Sequence, residues 1–576
     1  MEYSSIFHDM NKRYCYALEK GKFLFRIRTK RNDMNKVILH YQDKYIPVQY
    51  LDTRKQIEMK KIASDSYSDY FEAVILIDVI CLRYFFELTD LSGSTVYYGN
   101  YEFYEHEITN RDCMFDCPQN LREEEQFLIP EWAKNKIAYQ IFPSRFASSK
   151  QVEAEIWYKK PIHHRDNLQG DLQGIIHHLP YIKDLGIDII YLTPIFTSDS
   201  THKYDTIDYY QIDPSFGTND DLHELVQKAH AMGMKIILDA VFNHTSPKFF
   251  AFEDIQKNQE SSVYRNWYFI EEFPLKKGSH TEKPNYKSFS YYGGMPKLNL
   301  RNPDTANYFI QVACYWLQQY QIDGWRLDVA DEISHVFWKK FRRAIKEINP
   351  NALIIGEIWH YAGDFLEGDE WDSVMNYPFY FSVRDFVAEG SITATKFLEN
   401  LGFVRGNLHQ KVYPVLWNLI DSHDTPRFLH ICGEEKEKLK LAAALQLLMP
   451  GIPMIYYGDE YGMTGGPDPD CRRGMVWDAD YQDRTMHHWY QSLIQVRKKF
   501  PCITEGTIVN TKAVDETGVI LLTRQLSDQK ITIIFHSKES EIELSEYAGQ
   551  TDLITGNPFN GILKAYETIV INSSNL

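Results

Sequence analysis

The stretch DDLHELVQKAHAMGMKIILDAVFNH, residues 220–244, decides the fold. Its first part, 220–233, repeats apolar residues at helical spacing and closes on Gly233, a helix-stop signal. KIILDAVF (235–242) follows, a short apolar run of the kind a strand buried on both faces requires. Asp239, Asn243 and His244 stand at its end. The same unit recurs in both directions along the chain. Apolar runs stand at KIAYQIF (136–142), IDIIYLT (187–193), IDGWRLDV (322–329), ALIIGEIW (352–359), SVMNYPFYF (373–381), VLWNLI (415–420) and PMIYYG (453–458), which with KIILDAVF makes eight. Helical patterns at TANYFIQVACYWLQQYQ (305–321) and VFWKKFRRAIKEI (336–348) separate several of them. Strand–helix alternation implies an α/β protein with a parallel sheet, and eight repeats imply a (β/α)₈ TIM barrel.

One interval, 243–321, is longer than a crossover helix needs. Its part 244–300 is rich in Phe, Tyr, Trp, Lys and Pro and is expected to be an inserted domain over the barrel mouth. Before the barrel, LFRIRTK (24–30), KVILHY (36–41), AVILIDVICLRYFFEL (73–88) and TVYYGNYEF (95–103) read as strands separated by turn signals. After it, GVILLTRQ (518–525), KITIIFH (530–536), EIEL (541–544) and ETIVIN (567–572) read likewise. The division expected is an N-terminal β-sandwich over 1–125 and a barrel over 126–243 and 301–500. The insert over 244–300 and a C-terminal β-sandwich over 501–576 complete it. The 576 residues, at roughly 150 per domain, call for about four such units.

Composition bounds the partners. With 62 Lys+Arg against 79 Asp+Glu the net charge is −17, which argues against nucleic acid or an anionic membrane as the main partner. The first twenty residues lack an apolar signal-peptide core, and no apolar run reaches the ~18 residues of a membrane span. A cytoplasmic protein is expected. The eight cysteines lack zinc-like spacing and are read as free thiols. Aromatic residues make 14% of the chain; most belong in cores, and a minority can serve as stacking platforms for sugars or bases.

Charged residues are rarely buried unless paired, yet four strand ends carry them. The third ends in Asp239, Asn243 and His244, the fourth in Arg326, Asp328, Asp331 and Glu332. The fifth ends in Glu357, Trp359 and His360, the seventh in Asp421, His423, Asp424 and Arg427. In a barrel, Asp328, Glu357 and Asp424 converge at one mouth. Two carboxylates across a bond are the minimum for glycoside hydrolysis. Arg326, two residues before Asp328, shares its strand face and is expected to keep Asp328 ionised. Glu357, crowded by Asp328 and Asp424, is expected to stay protonated and act as acid.

DAVFNH, GWRLDVADE, GEIW and LIDSHD, in this order, resemble the conserved blocks of the α-amylase family, glycoside hydrolase family 13. MPKLN (295–299) and the β-rich N-terminal domain resemble its neopullulanase, cyclomaltodextrinase and maltogenic amylase group. The resemblance covers essentially the whole chain. It implies Asp328 as nucleophile, Glu357 as general acid/base and Asp424 as transition-state stabiliser. Asp239, His244, Arg326 and His423 would support the −1 subsite. His202 and Tyr204, in HKYD (202–205), would line the same subsite. Glu332 and Trp359 would shape the acceptor side, and Arg473 would meet substrate. Asp331 stands where the group usually has Asn, which bears on the balance between hydrolysis and transfer. Ser148 and Ser149 replace usual calcium ligands, leaving Asp171 and Asn243 as metal candidates; calcium is expected to be weak or absent and no cofactor required.

The expected activity is a retaining α-glucan hydrolase cleaving α-1,4 bonds of cyclodextrins, pullulan and short maltooligosaccharides, with transglycosylation. The alternatives are an α-glucanotransferase and a catalytically inactive carbohydrate-binding barrel. A homodimer is implied by the resemblance alone.

Overall fold

The computed structural model describes residues 1–10, 13–46, 54–278 and 282–574. Among them, eight short parallel strands form one sheet: β1 (Ala138–Ile141), β2 (Ile189–Leu192), β3 (Lys235–Ala240), β4 (Gly324–Leu327), β5 (Leu353–Gly356), β6 (Ser373–Val374), β7 (Trp417–Asn418) and β8 (Ile452–Tyr456). Neighbours follow the order β6-β5-β4-β3-β2-β1-β8-β7. A parallel bridge from Met375 to Trp417 joins the two ends and closes the barrel. Every residue of β1, β2, β4 and β5 is buried, as strands packed on both faces must be.

The register places the chemistry. Asp239 on β3 lies level with Arg326 on β4. The ladder continues past the strand ends: Asp328 N donates to Ala240 O at 3.1 Å and Glu357 N to Leu327 O at 2.9 Å. The helix before β3, Asn219–Ala231, starts with a capping box between Thr218 and Asp221 and buries Leu222, Leu225, Val226 and Ala229. That spacing is one helical face turned to the barrel.

The run 373–381 differs from expectation. Only Ser373–Val374 is strand, and Tyr377–Val383 is a helix. Pro378 sits in its first turn, where its missing N–H has no helical partner to lose. The excursion after β3 contains the helix Phe250–Asn258 and is knitted by isolated bridges His244–Lys297, Tyr268–Leu298 and Ser288–Pro296. At the C-terminus, Thr507–Val514, Val519–Leu526, Gln529–His536 and Thr568–Asn572 form an antiparallel sheet. A small sheet, Ile542–Glu543 with Ile562–Leu563, shares a core with it through Ile534, Phe559, Leu563 and Ile571.

The chain divides into two compact units, and the N-terminal one is not contiguous in sequence. It comprises Met1–Leu128, Gly363–Gly368 and Thr395–Tyr413; all else forms the other. In the first, two antiparallel sheets enclose a core that includes Phe23, Phe25, Ile27, Leu39, Tyr84, Phe86 and Leu88. The helix Ala394–Asn407 packs in this unit. A Cβ on Gly402 would stand 2.0 Å from Ser64 O, and one on Gly406 2.4 Å from the Tyr70 ring. Buried Arg26 pairs with Glu72 at 2.5 Å and donates to Leu408 O at 2.8 Å. Tyr16 stacks on His409 at 3.8 Å. No described helix is long and apolar enough to cross a membrane, and all eight cysteines are free.

Candidate active site

Arg326 is the centre of the barrel mouth. Fully buried at the end of β4, its Nη1 lies 3.0 Å from both Asp239 oxygens and 2.9 Å from Asp328 Oδ1. Its Nη2 lies 2.8 Å from Glu357 Oε2. One cation thus gathers carboxylates from the ends of three adjacent strands. Val329, directly after Asp328, has φ 45° and ψ 47°, a left-handed conformation rare for a β-branched residue. Its N–H donates to Glu357 Oε2 at 3.0 Å, so the two carboxylate-bearing loops are tied through backbone.

The fourth carboxylate arrives from β7. Asp424 Oδ2 is 3.1 Å from His423 Nε2. Tyr204 OH contacts His423 Nε2 and Asp239 Oδ2, the latter at 3.1 Å. Tyr191 OH, from β2, donates to Asp239 Oδ2 at 2.6 Å. His202 Nδ1 accepts from Tyr204 N at 3.0 Å. His244 stacks on Phe289 at 5.1 Å, and its buried Nε2 has no partner among the described residues. Asp239, Arg326, Asp328, Glu357, Tyr204, His423 and Asp424 therefore form one connected network, beside which His202 and His244 lie.

Burial dominates the electrostatics. It pushes His202 down to about 4 and His244 to about 3, with Lys297 adding to the latter. His423 also falls well below the usual range, for burial and then Arg472. At neutral pH all three are neutral imidazoles able to hydrogen-bond hydroxyls. Burial raises Asp239 to about 6 against the pull of Arg326. Asp328 differs from expectation: burial and then the neighbouring carboxylates push it up, and Arg326 opposes without reversing this. Like charges at this spacing oppose the simultaneous ionisation of all the clustered acids.

On the far side, Trp359 Nε1 lies 3.3 Å from Glu357 Oε1, and its ring stacks on Tyr377 at 4.3 Å. Lys297 Nζ pairs with Glu332 Oε2 at 2.8 Å and with Asn243 Oδ1. Asp331 Oδ2 is 3.4 Å from His360 Nε2.

The catalytic domain described as "Alpha amylase, catalytic domain" matches residues 140–495, and "Alpha amylase, N-terminal ig-like domain" matches 1–119. The chain belongs to the α-amylase family. It is similar to neopullulanase 2 of Thermoactinomyces vulgaris, 40% identical over 97% of this chain and 96% of that protein. The intracellular maltogenic amylase of Bacillus subtilis (strain 168) is 36% identical over 94% and 92%. A solved cyclomaltodextrinase superposes with a TM-score of 0.91 at 35% identity, covering 100% of this chain and 98% of its own. The chain is thus a glycoside hydrolase of the α-amylase family, on the TIM barrel that its sequence announces.

In this α-amylase-family chain, three of the expected positions have partners within the protein. Arg473 pairs with Asp470 at 2.5 Å and donates to Thr464 O. Its neighbour Arg472 is the one that meets Asp424, at 3.1 Å, and donates to His423 O at 2.7 Å. The doublet offers no spacing by which sequence could choose between them. Asp171 is a helix N-cap, accepting from Gly174 N, Ser149 N and Ser149 Oγ. Asn243 has its carbonyl taken by the Lys297 ammonium, a cation where a metal would need a free ligand. Among the described residues no group of three or more His, Cys, Asp and Glu could hold a metal. Tyr191 and Gln140, which contacts His423 Nδ1 at 2.8 Å, were also missed. Their signal was present: each is a polar residue inside an apolar barrel run.

Proposed function

We propose that this enzyme cleaves α-1,4-glucosidic bonds of cyclodextrins, pullulan and short maltooligosaccharides by double displacement, passing part of the product to sugar acceptors. The observation that carries the reading is the single buried guanidinium within 3.0 Å of Asp239 and Asp328 and 2.8 Å of Glu357. Asp328 attacks the anomeric carbon while the glycosidic bond breaks, and Glu357 gives its proton to the leaving oxygen. Glu357 Oε2 faces Arg326 and Val329 N–H, and Oε1 accepts from Trp359 Nε1. Water or a sugar hydroxyl then attacks the ester, returns a proton to Glu357 and frees Asp328. Asp424 stabilises positive charge in both steps, and neutral His202, His244 and His423 hold hydroxyls.

Glu332, Lys297 and Trp359 supply the acceptor side, where the transferase reading differs from the hydrolase only in what attacks the ester. Neither step needs a metal or cofactor. The names of its relatives support these substrates, and the intracellular relative and eight free cysteines support a cytoplasmic location. A homodimer is part of the same proposal.

Asp328→Ala or Glu357→Gln is expected to abolish cyclodextrin turnover while circular dichroism shows a folded chain. Hydrolysis by either variant at the wild-type rate would overturn the assignment. Product analysis with added glucose measures how far transfer competes with water.

A further inference from the structure

The insert ends in a tip at residues 288–296 that the reaction chemistry does not use. A bridge between Ser288 and Pro296 closes it. Phe289 N donates to Met295 O at 2.9 Å, Tyr291 N to Ser288 O at 3.3 Å, Tyr292 N to Phe289 O at 2.9 Å and Met295 N to Tyr292 O at 3.0 Å. Tyr286 OH donates to Gly293 O at 2.7 Å. A Cβ on Gly293 would stand 2.1 Å from Lys277 O, so the tip is pinned by close backbone approach as well. Within it Ser290 and Tyr291 have φ of 50° and 59°, a region that costs non-glycine residues about 1 kcal/mol or more each.

This construction holds two adjacent aromatic residues in water: Tyr291 is 67% exposed and Tyr292 57%. Lys283 Nζ lies 3.6 Å from the centroid of the Tyr291 ring, which orients the ring by a cation–π contact. A lone exposed tyrosine needs no explanation. Two in sequence, on a strained and hydrogen-bonded backbone, are held for a reason. The tip also starts at the active site. Phe289 is the residue stacked on His244, and Lys297, next to Pro296, bridges to His244 and pairs with Glu332. One residue, Ser290, separates Phe289 from Tyr291, so at most about 7 Å of chain lies between them.

We propose that Tyr291 and Tyr292 form a stacking platform for a glucosyl unit of an α-glucan chain, beyond the units held at the carboxylates. The proposal rests on the α-glucan reading above. The occupant follows from continuity: a chain leaving the His244 side of the site meets the tip next. The apolar face of a pyranose packs on an aromatic ring, and the Lys283 ammonium, which only donates hydrogen bonds, suits the hydroxyls around it. The consequence is a preference for longer chains.

The test compares kcat/KM for maltoheptaose and maltotriose in the wild type, the double variant Tyr291→Ala/Tyr292→Ala, and Tyr291→Phe/Tyr292→Phe. The alanine variant is expected to lower the maltoheptaose-to-maltotriose ratio by about three- to tenfold, the worth of one stacking contact. The phenylalanine variant, which keeps both rings, restores it. An equal loss on both substrates would mean a structural role and overturn the proposal. So would an unchanged ratio, including one in which sedimentation shows that the alanine variant has lost a dimer, since the pair then packs against a second copy. A wild type inactive on both substrates would instead overturn the α-glucan reading, and this inference with it.

Discussion

At the residue scale the site's buried groups set a pH dependence whose sign follows from burial. His202 and His244 sit at about 4 and about 3 in the fold, below their ordinary 6.5. Between those values the unfolded chain binds protons that the folded chain refuses. Their contribution to stability is whole above pH 6.5 and lost as pH falls through 4 and then 3. Asp239, raised from 3.8 to about 6, has the opposite sign: its contribution is whole below 3.8 and lost as pH rises through 6. Taken by themselves, the two imidazoles lower stability as pH falls from 6.5 to 4, against the opposing pull of Asp239 and Asp328. His202→Gln and His244→Gln should each flatten that loss by about 1 kcal/mol per pH unit, read from thermal unfolding across a pH series. Arg472 gives a second expectation. Arg472→Ala leaves Asp424 without its guanidinium and is expected to lower kcat/KM about 30-fold, the low end for a lost buried partner since Asp424 is 28% exposed. Arg473→Ala should stay within about threefold. Equal losses in the two variants would sink the assignment of Arg472 to the site. The strand-end acids were legible because charge beside an apolar run is unusual. Arg472 was not, because only the turn of a loop distinguishes it from Arg473.

At the element scale the barrel was legible where strands are long and apolar. β3 and β5 sit inside the expected runs, and the helix 219–231 carries its own start and stop signals. β6 and β7 are two residues each, too short for periodicity to show, and the aromatic run 373–381 concealed a helix start. AVILIDVICLRYFFEL proved to be parts of two strands, Ser68–Leu76 and Cys81–Asp90, because apolar content alone cannot mark the turn between them. The strained link at the end of β4 was invisible too, since nothing in the sequence marks Val329 as left-handed. Val329 fixes where Asp328 points. Val329→Gly is expected to change stability by less than about 1 kcal/mol, because relief of strain offsets the looser unfolded chain. It should lower kcat about tenfold by freeing the Asp328 backbone. Thermal unfolding and steady-state kinetics on one preparation check both, and an unchanged kcat would show that the strain does not position the carboxylate.

At the scale of the whole molecule, the N-terminal unit runs from Met1 to Leu128 and takes in two later segments, Gly363–Gly368 and Thr395–Tyr413, which the expected division at residue 125 does not include. Sequence could not reveal this, because the helix Ala394–Asn407 carries no mark of its partner beyond Gly402 and Gly406. Deleting residues 1–128 would strip that helix of Ser64, Tyr70 and Arg26, and the truncated chain is expected to aggregate; a soluble, active truncation would contradict this. The same arrangement bears on synthesis. The ribosome releases Arg26 and the two sheets long before it has made Leu408, the acceptor that Arg26 uses. At roughly 5–20 residues per second the interval between Leu128 and Thr395 is on the order of tens of seconds. For that time the nascent N-terminal sheets wait with one face open, while the barrel strands meant to close last are still being written. The N-terminal unit is therefore complete only once Thr395–Tyr413 has been made, long after its sheets.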